Sequence, residues 1–467
     1  MRTLAFGSAL AIIAGCGWTA PLSAQDGATV AAEDVARELA AMRAEMARMA
    51  ARIDSLETEL AEAEAKSDAA TIAASEAAAT AAAAQAQATE SSEAVSPAIG
   101  FKGAPEIKGE GGWSFKPRGR LQYDAGIVSA PDGTGVDDGW GNDIRRARLG
   151  VQGDMPGGFG YKFEVDVANS DVAVTDALIS YEDGPLEVSV GQFNNFQSLE
   201  ELTSSLHTTF IERAAYTDAF NFIRRVGIGA EYDAGDVLLQ GGVFTDNMDR
   251  LSNENWSADG RVVWMPQIGD AQAHLGASIH YREYEAGSTV RYRQRPLVAF
   301  TSNRFINTGN LNADSEFSYG VEGAFVSGPF HAAAEGYWRK TNRPGALTDP
   351  TFFGGYAEVG YFLTAGDTRG YGGGNFGRVK PANPVGEGGM GSVQVNLRYD
   401  RLDLNDGGVI GGTQDGYFLS LIWKPTDYTA LLANYGRLQY GDAVFPAAGG
   451  DTDYGVDVVG VRAQVDF

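Results

Sequence analysis

Chemistry that depends on cysteine or clustered histidine has little to work with here. The 467 residues include one cysteine, Cys16, and four histidines. Cys16 lies in an apolar leader, which leaves no disulfide framework and no Cys-based metal site. His207, His274, His280 and His331 never stand in H-x-x-x-H spacing, which argues against a zinc or di-iron enzyme. No Rossmann or P-loop glycine pattern opens a helix, so no cofactor is implied. Basic residues are scarce as well: 36 Lys and Arg face 61 Asp and Glu, a formal charge of −25, and no window is locally basic. A nucleic-acid partner is therefore not expected. After the leader there is no 18-residue apolar run, and mean hydropathy is −0.19, which excludes a helical membrane protein. A membrane β-barrel stays open, because its strands are only half apolar. The 61 glycines, 19 tyrosines and 23 phenylalanines fit that reading.

Residues 1–24 have the form of a secretory signal: Arg2, an apolar stretch from Leu4 to Ile13, and Leu22-Ser23-Ala24 as a cleavage site. Ile13-Ala14-Gly15-Cys16 resembles a lipobox, so a lipidated Cys16 is the rival outcome. Over 30–66, Val35, Leu39, Met42, Met46, Met49, Ile53, Leu56, Leu60 and Ala63 recur at alternating intervals of four and three. That is a heptad seam, read as a coiled coil that needs partner chains and that can set an oligomer or hold peptidoglycan in the periplasm. Residues 67–112 follow as an Ala-rich linker, or frayed helix, and a Gly/Pro hinge.

From 113 to 467 the pattern has period two. Sixteen runs are counted, near 114–128, 143–154, 159–169, 174–182, 186–193, 225–232, 237–245, 260–265, 271–284, 317–325, 330–341, 352–363, 391–405, 416–424, 428–439 and 456–467. The fold expected is all-β: a sixteen-stranded antiparallel transmembrane β-barrel behind an N-terminal α-helical coiled coil. Tight turns such as Met155-Pro-Gly-Gly158, Asp183-Gly184 and Ser327-Gly-Pro329 follow even-numbered runs, and longer connections follow most odd-numbered ones. Segment 364–390 breaks this parity, which leaves the strand count open there. Phe317 and Phe325, Phe330 and Trp338, and Phe353 and Tyr361 lie eight residues apart on apolar faces. At ~3.3 Å per residue and ~40° tilt each pair spans ~20 Å, near the height of a lipid-facing band between aromatic girdles. Phe467 closes the last run and reads as a signal to the barrel-assembly machinery.

Parity also assigns a lumen. Arg118, Arg120, Arg146, Arg148, Lys162, Arg282, Arg339, Arg398 and Arg462 face inward, with Asp124, Glu164, Asp166, Glu322, Glu335, Glu358, Asp400 and Asp466. Arginine suits an anion path because its planar guanidinium pairs bidentately and stays charged. Arg118, Arg120, Arg146 and Arg148 occupy adjacent runs with Asp124 as the nearby acid, a positive stripe. The alternative is a solvated wall of cancelling ion pairs. Segment 194–224 is the natural constriction, with Phe196, Phe210, Tyr216, Phe220 and Phe222 to pack it against the wall; the alternative is an external cap. Two other classes remain: an outer-membrane hydrolase using Ser278 and His280, which share one strand face, and an envelope tether using the coiled coil.

These residues also resemble a family, the phosphate-selective porins O and P. The resemblance covers about 113–467. It rests on Arg145-Arg-Ala-Arg-Leu-Gly150, Tyr161-Lys-Phe-Glu-Val165, Gly191-Gln-Phe193, Leu199-Glu-Glu-Leu-Thr-Ser-Ser205 and Phe210-Ile-Glu-Arg213. It continues with Arg224-Arg-Val-Gly227, Gly328-Pro-Phe330, Glu335-Gly-Tyr337, Tyr356 to Leu363 and Arg398-Tyr-Asp-Arg-Leu-Asp-Leu-Asn405. The resemblance implies a homotrimer of sixteen-stranded barrels in the outer membrane of a Gram-negative bacterium. It also implies passive diffusion of phosphate or other small anions along an arginine ladder, past a constriction helped by lysines. Arg145, Arg146 and Arg148 would belong to the ladder, and Arg213, Arg224 and Arg225 to the constriction. Segment 194–224 departs from that pattern: it has no lysine and carries Glu200, Glu201, Glu212 and Asp218. A general or cation-preferring porin of the same fold is the alternative.

Overall fold

The computed structural model describes residues 30–90, 98–168, 172–250 and 254–467, and the side chains of the first helix over 37–83. The leader with Cys16 lies outside them. The chain divides into two compact units, at Ser96 and Pro97.

The first unit is one helix, α1 (Val30–Glu90). Residues 67–90, read as linker or frayed helix, continue it without a break, because alanine has the lowest helical cost of any residue and no Gly or Pro intervenes. Leu39, Met42, Met46, Met49, Ile53, Leu56 and Leu60 are 43–59 % exposed, so within one chain the heptad seam has no partner.

The second unit is a closed barrel. Its strands are β1 (Ser114–Ser129), β2 (Gly139–Met155), β3 (Phe159–Asp166), β4 (Ala173–Asp183), β5 (Leu186–Asn194), β6 (Arg224–Asp233), β7 (Val237–Phe244), β8 (Trp256–Trp264), β9 (Ala271–Glu283), β10 (Ser315–Ser327), β11 (Phe330–Asn342), β12 (Thr351–Phe362), β13 (Ser392–Asp406), β14 (Val409–Thr426), β15 (Thr429–Gly441) and β16 (Tyr454–Asp466). Each pairs antiparallel with the next, and β16 returns to β1 with Asp457 opposite Ser129 and Asp466 opposite Arg120. Closure leaves no unpaired strand edge, which a hydrocarbon environment demands. Strand β13 illustrates the pattern: Asn396, Arg398 and Asp400 are buried in the lumen while Leu397 and Tyr399 face out. At the seam Phe467 exchanges backbone hydrogen bonds with Gly119 (3.0 and 3.1 Å). Its ring lies where a Cβ at residue 119 would sit, 2.2 Å away, so glycine is required there. Aromatic rings line the outer wall, Tyr319 stacking on Trp338 and Trp338 meeting Phe353, each at 5.1 Å.

All sixteen runs have a strand at their place. Segment 364–390 hides no barrel strand. It enters the lumen from the short-turn end as a small hairpin, Gly370–Gly372 with Asn375–Gly377. The Arg369 guanidinium pairs with Glu358 (3.1 Å) and lies 3.7 Å over Phe376, and Tyr371 meets His274 at 2.6 Å. Its glycines disguise it as a loop, and its length reflects the distance it travels inward. Two segments enter from the opposite end: 195–223 after β5, and 284–314 after β9. Leu199, Phe210, Tyr216 and Phe220 of the first and Tyr292, Val298 and Phe305 of the second are buried with Tyr337, Phe352, Leu402 and Leu438 of the wall. These contacts fill part of the lumen beside β10–β15, and the remaining space reaches β2, β4 and β6 on one side and β13–β15 on the other.

Candidate functional site

Segment 195–223 is inserted in the barrel and does not cap it. Ser198, at φ 68°, turns the chain into the short helix α2 (Leu199–Leu202), and its hydroxyl accepts from the Glu201 amide at 3.2 Å. A left-handed serine is uncommon and must be held by its surroundings. The wall does this: the Leu199 amide donates to Glu322 (2.7 Å) and Glu335 (3.0 Å), and the Glu200 amide to Glu335 (2.7 Å). At the second short helix, α3 (Ala215–Ala219), Asp400 accepts from the Ala215 amide at 2.7 Å. Tyr216 lies stacked near Tyr337 (5.8 Å) and Tyr356 (6.4 Å), over Gly354, where a Cβ would fall 2.3 Å from the tyrosine. Phe196 joins Phe193 and Phe244, and Phe210 meets Phe418.

The inward arginines begin at a β-bulge. Gln122 of β1 pairs with Arg146 but Tyr123 pairs with Ile144, so Arg145 is an extra residue in β2. Arg145 and Arg146 consequently both reach the lumen, which strict alternation forbids. Arg145 makes a two-point contact with Glu212 of the inserted segment (2.5 and 3.0 Å). Arg146 is bonded to Gln122 alone, at 2.9 Å. Arg148 pairs with Glu164 (3.1 Å) and Asp166 (2.8 Å), and Arg120 with Glu164 (3.4 Å) and the Ser205 hydroxyl (2.9 Å). Arg118 donates to Gln152.

The stripe expected to face only Asp124 is therefore offset at Arg120 and Arg148, while Arg118 and Arg146 meet glutamine amides. The carboxylates come from the third strand, β3, whose alternation places Glu164 and Asp166 beside Arg148, while Asp124 is taken by Arg462 (2.6 and 2.7 Å). Asp176 of β4 joins Lys162 (2.6 Å) and Arg224 (2.7 Å). Arg213 staples its own segment, donating to the carbonyls of Glu200 (2.8 Å) and Thr203 (2.7 Å). Arg225 does not join Arg224; it points to Ser257 (3.1 Å) and His280. Several other inward residues serve the packed side: Arg339 pairs with Glu316, Arg398 with Glu200 and Glu358, Arg282 with Asp246, and Asp466 with Arg378.

The four acids of the inserted segment are counter-ions to arginines. Glu200 takes Arg398 (2.9 Å), Glu212 takes Arg145 and Arg462, Asp218 takes Arg295 (3.4 Å), and Glu201 lies 3.6 Å from Arg213. Against its burial, the adjacent Arg145 holds the Glu212 carboxyl far below the usual carboxylate range. Burial raises Glu201 above it, Arg213 notwithstanding. His207, in the inserted segment, is half-buried and pushed down to about 3 by desolvation and by Lys424.

A cavity of about 350 Å³ lies beside this segment, walled by β2, β4 and β6 and by β13–β15. Seven arginines line it (Arg145, Arg146, Arg148, Arg213, Arg224, Arg295 and Arg398), with five carboxylates (Glu201, Glu212, Asp218, Asp249 and Asp400). Of these arginines only Arg146 has no carboxylate within ion-pair distance among the described residues. A second cavity of about 400 Å³ opens toward the short-turn end beside Lys116, Gln152, Lys162 and Glu187. Between them stands the layer in which Asp176 joins Lys162 of the second to Arg224 of the first.

Sequence reasoning missed a group in segment 284–314. Arg291, Arg293, Arg295 and Arg304 gather at the long-loop end; burial and the charges of Arg295, Arg293 and Arg291 bring Arg304 down to about 10. Only Arg295 pairs with a carboxylate among the described residues. The signal is Arg291-Tyr-Arg-Gln-Arg295, a locally basic window where none was expected, in a connection between strands that carries no period-two run.

A closed sixteen-stranded barrel with an apolar outer wall, a charged lumen and an inward constriction defines an outer-membrane porin, a diffusion channel. The family model of the phosphate-selective porins O and P matches residues 115–467, and the chain belongs to that family. It is 48% identical over 384 residues to an uncharacterized protein of Caulobacter vibrioides, covering 79% of this chain and 77% of that one. It is 29% identical over 338 residues to Porin O of Pseudomonas aeruginosa, covering 64% and 75%. Among solved structures the fold is similar to that of OmpT, an outer membrane protein of Vibrio cholerae, in its trimer form. That likeness has a TM-score of 0.50 at 12% identity, over 76% of this chain and all of that one.

Proposed function

We propose that this porin is a homotrimer that passes small anions in preference to cations, with no catalytic role. The observation that carries the reading is the continuity of guanidinium groups. The cluster at Arg291, Arg293, Arg295 and Arg304 stands at the long-loop end, taken as the cell exterior, and Arg295 lines the cavity that holds Arg146 and Arg148. Rings of such groups set anion preference, and the few side chains at the narrow point outweigh net charge. The acids of segment 194–224 support rather than oppose this, since each is engaged with an arginine. The missing lysines leave the phosphate preference of the family name resting on arginine alone.

A trimer agrees with the trimer form of the similar OmpT structure and with the unpartnered seam of α1, whose place we assign to the periplasm. Catalysis by Ser278 and His280 finds no support: His280 spends its ring nitrogens on Gln197, Asp259 and Arg225. The zero-current potential in a KCl gradient, then with phosphate replacing chloride, tests the reading. Anion preference is expected. A cation-selective channel would overturn it and point to Glu201, Asp218 and Asp249 of the cavity lining.

A further inference from the structure

A second cavity on the long-loop side, of about 390 Å³, is separated from the first by residues both of them touch, Asn221, Ile223 and Asn247. Five arginines line it, Arg225, Arg250, Arg282, Arg291 and Arg339, against two carboxylates, Asp246 and Glu316. Arg282 is spent on Asp246 and Arg339 on Glu316. The other three form no ion pair with a carboxylate among the described residues. Arg225 is the most telling. It is 1 % exposed, and among the described residues its Nη1 reaches only the Ser257 hydroxyl and His280 and its Nε has no partner. A buried guanidinium left short of acceptors carries a cost that an incoming anion relieves.

The remaining lining describes the rest of the ligand. Asn221, Ser288 and Thr289 offer neutral donors and acceptors, and Tyr284 and Tyr292 offer ring surface. Arg282 already lies over the Tyr284 ring at 4.6 Å. The volume is at the small-molecule end of binding pockets and far exceeds what a bare inorganic anion fills. From this we infer a side pocket for a phosphorylated sugar or similar phosphate monoester: the phosphate on Arg225, Arg250 and Arg291, the hydroxylated body against these neutral groups and tyrosines. The inference does not depend on which ion the main passage prefers.

The test is calorimetric titration of the full-length protein in detergent with glucose 6-phosphate, glucose and inorganic phosphate as separate probes. Glucose 6-phosphate should bind one site per chain at least tenfold more tightly than either fragment. Arg250 and Arg291 are exposed, so R250Q with R291Q perturbs the pocket without emptying a buried site, and should weaken glucose 6-phosphate at least tenfold. Equal affinity for inorganic phosphate would overturn the assignment, leaving a simple ion site. So would an absence of saturable binding, or binding unchanged in the double variant while its trimer survives. Anion selectivity of the double variant, measured separately in bilayers, distinguishes failure of this pocket from failure of the channel reading.

Discussion

Replacing Arg146 by glutamine isolates the one guanidinium lining the cavity beside segment 195–223 that no carboxylate offsets among the described residues. For an ion passing ~5 Å away in water-like dielectric, a unit charge is worth ~0.8 kcal/mol. A Debye length of ~10 Å at 0.1 M salt reduces this to ~0.5 kcal/mol. The term has opposite signs for anion and cation, so the permeability ratio shifts by ~1 kcal/mol, about fivefold toward cations. In 1 M salt, with a Debye length near 3 Å, the same change should shrink below about twofold. The assay is the zero-current potential of single channels in KCl gradients. As a control, Arg295→Gln combined with Asp218→Asn removes a pair in which neither member has another ionic partner among the described residues, and should alter the ratio by less than about twofold. An R146Q channel indistinguishable from wild type at 0.1 M, with the trimer intact, would refute the claim that unpaired charge at this cavity sets selectivity.

Burial raises the Glu201 carboxyl, so on acidification from pH 7 it is protonated before ordinary carboxylates near ~4.3. Anion preference should therefore increase as pH falls through that raised value, and Glu201→Gln should abolish the titration; an unaltered titration would dissociate it from Glu201. Glu212 is shifted the other way, so its contribution to docking the inserted segment is present at neutral pH and lost only as pH falls through its depressed value. Glu335→Ala removes the acceptor of the Glu200 amide and one of two acceptors of the Leu199 amide, ~0.5–1.5 kcal/mol for each bond, and should give noisier, larger conductance from an intact barrel. Quiet wild-type currents would show that the remaining contacts hold the segment without Glu335. Deleting residues 30–95 should leave a conducting pore, because the barrel pairs its own backbone without a helix; loss of channels in bilayers is the contrary result.

What could be read from the sequence was whatever depends on alternation. The sixteen strands, the outward aromatics and the inward faces of β1 and β13 all follow from a two-residue period that lipid on one side and charge on the other enforce. What could not be read was anything requiring knowledge of a neighbour two strands away or of where a loop goes. Glu164 and Asp166 were assigned to the lumen, yet their pairing with Arg148 depends on register. The bulge at Arg145 shifts parity by one residue, and a lone sequence carries no mark of it. Segment 364–390 has the composition of a solvent loop because a chain threading a crowded lumen needs glycine for close approach. At Gly374 a Cβ would stand 2.8 Å from Leu238 of the wall.

The acidic inserted segment and the arginine-rich wall make sense only together. An arginine in the lumen of a barrel has no reason to stay on one side of the passage unless something holds it there, and a loop has no reason to enter a charged lumen unless its own charges are met. Glu212 joins Arg145 of β2 to Arg462 of β16, and Glu200 fixes Arg398 of β13. Each contact docks the segment and orients a guanidinium at once, and removing a single partner would strand a buried charge. The same contacts cancel most of the positive field they organise. On the proposed reading, selectivity depends on guanidinium groups that no carboxylate offsets, among them Arg146 inside and Arg291, Arg293 and Arg304 outside, and such a remainder would let a chain with a formal charge of −25 favour anions along its axis.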